Sequence, residues 1–131
     1  MILAMRTDQP NAEVYLLDSN STVVAQKSWL ADRELAKTLN THIGLLCTEA
    51  NIGVDDIDGI IVFTGSGSFT GLRIGASVGN ALAYSNNVPI VGSDGSDWLK
   101  QGVRALKTAS KSTYICPRYD REPNITKAKS A

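Results

Sequence analysis

The sequence predicts an α/β domain built on one mixed five-stranded sheet, and three observations carry that expectation. Three strand-like runs, "MILAMRT", "AEVYLLDS" and "TVVAQKSWL", fill the first 30 residues and are separated only by the turn-forming stretches "DQPN" and "NS". Two later apolar runs, "DGIIVFT" and "VPIVG", have the continuous character of strands buried on both faces. Between and after them lie segments with helical spacing, so the order is β-β-β-α-β-α-β-α.

Each element has its own justification. The first three strands read as an antiparallel meander. Asp32 is placed to cap a helix whose Leu35, Leu39, Ile43 and Leu46 fall on one face at i, i+4 and i+3 spacings, with Gly53 expected to stop it. The fourth strand, ending near Thr64, leads through "GSGS" into a helix expected over 70–84, and "VPIVG" supplies the fifth strand. A third helix is expected over 96–109, after which the periodicity fades.

The bounds on function are equally direct. A chain of 131 residues suits one domain and can bury roughly 65–70% of its unfolded surface without staples. Two cysteines, Cys47 and Cys116, make neither a disulfide framework nor a metal-ligand pattern, and a reducing cytoplasm is expected. The opening "MILAM" is too short for a signal-peptide core, and no run approaches membrane-spanning length. Net charge is zero, yet residues 1–99 hold 5 basic and 11 acidic side chains, whereas residues 100–131 hold 8 and 2. That basic end either lies against the acidic body or meets nucleic acid.

A glycine-rich stretch, "GSGSFTGLRIG" from Gly65 to Gly75, follows the fourth strand. It contains no "GK[ST]", so it is not a Walker A loop. Gly65, Gly67 and Gly71 are spaced one residue too long for a dinucleotide fingerprint. No G-x-S-x-G elbow fits, and the sole histidine, His42, lies in the first helix with a structural or surface role. A generic anion site at the helix start stays open.

Gly71, Gly75 and Gly79 recur every four residues, and Ala83 continues the series, leaving one helix stripe nearly bare. Each internal glycine costs roughly 1 kcal/mol of helix propensity relative to alanine. Such a stripe implies close backbone approach, either by the domain's own sheet or by a partner. Ile74, Val78 and Leu82 run beside it, with Arg73, Ser77, Asn80 and Tyr84 opposite.

The segment Gly67 to Gly75, the alanine-rich helix after it and "NNVPIVG" resemble the signature of the bacterial TsaB (YeaZ) family, which has G-P-G-S-F-T-G-L-R-I-G in this place. In the terms of that family, the motif loop is Gly65, Gly67, Ser68, Phe69, Thr70 and Arg73. The C-terminal Pro117, Tyr119, Arg121 and Glu122 resemble its closing segment. The resemblance implies a single actin/Hsp70-like lobe over 1–109 with a C-terminal segment over 110–131, a shortened member lacking the family's second lobe. Departures are Arg6, Thr7 and Asp8 where the family has D-T-S, Ser66 in place of proline, and Asp32 or Arg33 where a histidine stands near the first helix.

The resemblance further implies a non-catalytic subunit in the synthesis of N6-threonylcarbamoyladenosine (t6A) on tRNA. It would pair with a TsaD-like catalytic subunit, be joined by a TsaE-like ATPase, and meet tRNA through the complex, with homodimers when alone. The implied pairing surface is Leu35, Leu39, Ile43, Gly71, Gly75, Gly79 and Leu82, and no catalytic residue, metal or cofactor is expected. Two rivals carry less. An actin-like ATPase or phosphotransferase needs a phosphate hairpin in each lobe, and the first turn here, "DQPNA", lacks glycine. A hydrolase needs a metal cluster or a nucleophile with its base, which one histidine and two scattered cysteines do not supply.

Overall fold

The computed structural model describes residues 1–111 and 114–115, without the side chains of Asp32 and Phe69. Five strands form one sheet: β1 (Ile2–Arg6), β2 (Asn11–Leu17), β3 (Val23–Leu30), β4 (Gly59–Phe63) and β5 (Ile90–Ser93). Their spatial order is β3-β2-β1-β4-β5. The meander β1, β2, β3 is antiparallel, with Ala4 opposite Tyr15 and Tyr15 opposite Gln26. β4 joins β1 in parallel, Ala4 beside Ile61, and β5 joins β4 in parallel. The mixed sheet expected from the order of elements is therefore the one observed.

Strand alternation divides the interior into two cores. Leu3, Met5, Val14, Leu16, Ile60 and Val62 face the helices α1 (Leu35–Glu49) and α2 (Phe69–Asn86). On the other face Ile2, Ala4, Leu17, Ile61 and Phe63 meet Trp98 and Val103 of α3 (Trp98–Leu106). The central strands β1 and β4 are buried on both faces, which is why they read as unbroken apolar runs. Among the described residues, two α-helices thus cover one side and one the other. No helix of the described residues is long and apolar enough to cross a membrane.

Several boundaries differ from the sequence reading, each for a local reason. Asp32 is not an N-cap: a 3₁₀ turn over Asp32–Glu34 precedes α1, and Ala31 stands before it without a side-chain cap. Gly53 does not stop α1, which ends at Glu49; Asn51, at φ 61°, supplies the left-handed residue. Gly53 instead donates its N–H to Asp56 Oδ2 at 2.8 Å and opens a second 3₁₀ turn. α2 is longer than expected at both ends. Ser68 caps it, its Oγ accepting from the Gly71 N–H at 3.2 Å, and Asn87 closes it at φ 58°. α3 is shorter than the expected 96–109 span. The proposed closing motif from Pro117 to Glu122 lies outside the described residues.

Candidate functional site

The glycine-rich loop is built around the turn that follows β1. The Thr7 hydroxyl, buried, donates to the Gly71 carbonyl at 2.8 Å. A Cβ on Gly71 would strike the Thr7 carbonyl oxygen, and one on Gly75 would strike the Thr7 hydroxyl. At Gly79 it would stand 2.8 Å from Val62 Cγ2 and 3.0 Å from Ile90 Cδ1. The bare stripe of α2 therefore lies on its own sheet. This corrects the expectation that it faces a partner, and the reason is steric: only a helix stripped of side chains can come this close to β1 and its turn.

The turn and the loop lock together. Ser68 N donates to the Asp8 carbonyl at 3.0 Å, and a Cβ on Gly67 would lie 2.5 Å from Asp8 Cβ. The Asp8 carboxylate, almost wholly buried, accepts two bonds from Arg6, Nε at 2.8 Å and Nη2 at 3.1 Å. Arg6 also lies 3.9 Å over the Phe63 ring. Its hydrogen bond to Asp8 pushes the Arg6 pKa up, against the opposing effect of burial. Two amides at the start of α2, those of Ser68 and Gly71, are thus already used within the protein. Between turn, α1 and α2 remains a pocket of about 250 Å³, whose walls include Thr7, Pro10, Arg33, Leu35, Ser68 and Thr70.

The residues assigned to pairing divide sharply. Leu35, Leu39 and Ile43 are core residues of α1, Gly71, Gly75 and Gly79 are buried, and Leu82 is half-buried. The surface of the same two helices carries Leu82, which was assigned to pairing, together with residues that were not. A groove of about 370 Å³ runs between them, lined by Asn40, Ser77, Val78, Ala81, Leu82 and Ser85. A second hollow of about 250 Å³ continues it past Ala36, Thr70, Arg73 and Ile74. Ser77 and Ala81 are exposed, and Leu45 of α1 is 47% exposed. The signal for this face was present in the wide apolar-plus-small surface of α2; what could not be read was which half of it turned inward. Of the motif loop, Gly65 is buried against the Phe63 ring, while Ser68, Thr70 and Arg73 are exposed.

The chemistry-bearing side chains of α1 have structural partners. His42 stacks on Trp29 with ring centroids 3.9 Å apart and planes 6° apart, and its Nδ1 lies 2.8 Å from the Thr38 carbonyl. Trp29 Nε1 donates to Thr38 Oγ1 at 3.0 Å. Cys47 is buried, and that burial raises its thiol pKa, with Asp56 adding to the effect. Among the described residues no three His, Cys, Asp or Glu side chains are gathered as a metal site requires.

This arrangement, a β-β-β-α-β-α-β-α lobe with a glycine loop locked onto its first turn, is an actin-like lobe. The family model described as TsaD, tRNA N6-adenosine threonylcarbamoyltransferase, matches residues 27–119, and the chain belongs to that family. A tRNA N6-adenosine threonylcarbamoyltransferase of Listeria welshimeri is 35% identical over 63 residues, 48% of this chain and 18% of that protein. The tRNA threonylcarbamoyladenosine biosynthesis protein TsaB of Bacillus subtilis is 28% identical over 89 residues, 68% of this chain and 38% of that protein. Among solved structures, YeaZ from Pseudomonas aeruginosa superposes with a TM-score of 0.64 at 27% identity, covering 71% of this chain and 43% of its own. The resemblance to TsaB (YeaZ) read from the glycine loop is therefore found in sequence and in structure. The chain spans less than half the length of each of these relatives.

Proposed function

We propose that the chain is a non-catalytic scaffold in the synthesis of t6A on tRNA, pairing with a TsaD-like catalytic subunit through the outer face of α1 and α2. Residues 1–109 carry the role, in the cytoplasm, and a TsaE-like ATPase and the tRNA join through the pair. The observation that supports pairing is the open groove between α1 and α2. Half-buried Val78 and Leu82 and exposed Ala81 give it an apolar floor, and Asn40, Ser77 and Ser85 give it a polar rim, the composition that a non-obligate interface uses. A scaffold role is supported by the structural employment of His42 and Cys47, both tied into α1 and its neighbours.

The test is capture of a TsaD-family subunit by the full chain in co-expression, compared with Ser77→Arg and Ala81→Arg. Both positions are exposed, so the variants should unfold at the wild-type temperature while losing capture. Capture that survives both substitutions overturns the assignment. Wild-type homodimers that the same substitutions dissolve, without any TsaD capture, would replace the scaffold reading by self-pairing.

A further inference from the structure

We infer that the outer face of α3 is a binding surface for the phosphate backbone of RNA, separate from the α1–α2 face. Lys100 and Arg104 of α3 and Lys107, the helical-backbone residue that caps its C-terminus, are exposed and fall at i, i+4 and i+7 within one narrow stripe, and exposed Lys111 follows in the turn beyond. Trp98 and Gly102 on the opposite side of the helix, and Val103 at the edge of the stripe, are buried on the sheet. α3 contains no acidic residue, and no carboxylate among the described residues lies within ion-pair distance of these four cations.

Two features give the stripe a direction and a partner. The first 99 residues are acid-rich, 11 acidic against 5 basic side chains, so long-range attraction for a polyanion is confined to this end of the chain. From Lys100 to Lys107 the helix rises about 10 Å, the axial distance over which one strand of a duplex presents about three phosphates. α3 lies on the sheet face opposite α1 and α2, so a partner on one side leaves the stripe free on the other. The choice of RNA rests on the proposed role in tRNA modification; the geometry of the stripe does not.

The experiment measures binding of unfractionated tRNA by the full chain at several salt concentrations, against Lys100→Gln/Arg104→Gln/Lys107→Gln and a charge-keeping control, Lys100→Arg/Arg104→Lys/Lys107→Arg. The neutral variant should lose about 2–3 units of the log–log salt slope, so between 50 and 200 mM salt the wild type should lose about 16- to 64-fold more affinity than the variant does. The control should match the wild type. Wild-type slope retained by the neutral variant, or no salt-dependent tRNA binding by the wild type, overturns the inference. So does a stripe that binds phosphatidylserine-containing vesicles or a second copy of the chain instead of tRNA. Circular dichroism confirms that each variant is folded. Capture of the TsaD-family subunit is scored separately, so absence of tRNA binding by the wild type with capture intact refutes this inference and leaves the scaffold reading standing.

Discussion

The Thr7 hydroxyl donates to the Gly71 carbonyl at 2.8 Å and occupies the place where a Cβ on Gly75 would sit. One residue on the first turn thus determines why two positions of α2 are glycine, its carbonyl oxygen excluding a Cβ at Gly71 and its side chain excluding one at Gly75. Replacing Gly75 with Ala should destabilise the fold by about 1–3 kcal/mol through overpacking, although alanine is the better helix former. Adding Thr7→Ala should recover part of that loss, so the two changes are non-additive. Urea unfolding of the three variants checks this. Strict additivity would mean that the two residues do not share the space.

Gly79 tests the same packing further along α2. Val62 Cγ2 and Ile90 Cδ1 stand 2.8 and 3.0 Å from its missing Cβ. Gly79→Leu should therefore lower the thermal midpoint sharply or prevent folding, whereas Ala81→Arg, two residues on and exposed, should leave it unchanged. Thermal unfolding by circular dichroism distinguishes them. Equal midpoints would return the stripe to the surface.

Tyr15 makes stability pH-dependent on the alkaline side. Burial first, and then its hydrogen bond to Glu13, raise its phenol above the usual tyrosine value. The unfolded chain then releases this proton at lower pH than the folded one does. The stabilisation is complete below about pH 10, the ordinary tyrosine pKa, and is lost as pH rises towards the folded value. Absorbance at alkaline pH should show one of the four tyrosines ionising late, and Tyr15→Phe should remove that component.

The stack of Trp29 on His42 joins β3 to α1. His42→Ala should cost about 0.5–1.5 kcal/mol beyond the lost area, and should alter the Trp29 emission. Denaturant unfolding followed by fluorescence measures both. An unchanged midpoint would show that the stack is incidental to stability.

The order and number of elements were legible because each carries its own period. β4 is apolar at every position because it is buried on both faces, and α1 repeats Leu35, Leu39 and Ile43 because one of its faces is buried. The loop was legible as a family motif because its glycines recur at fixed spacing. Local sequence could not say which body the glycine stripe approaches, since helical spacing reports that a face is bare and is silent about what fills the space. Only the parallel pairing of β4 with β1 brings Thr7 under Gly71, 64 residues away in sequence. Which apolar residues of the two helices stay open to a partner was hidden for the same reason: Leu39 and Val78 are both apolar at helical spacing, and only packing shows that the first is wholly buried and that the second lines a groove. The cationic stripe of α3 lies between these cases. Its spacing belongs to the sequence, but its separation from the α1–α2 face was decided by the sheet, whose strands send alternate side chains to opposite sides.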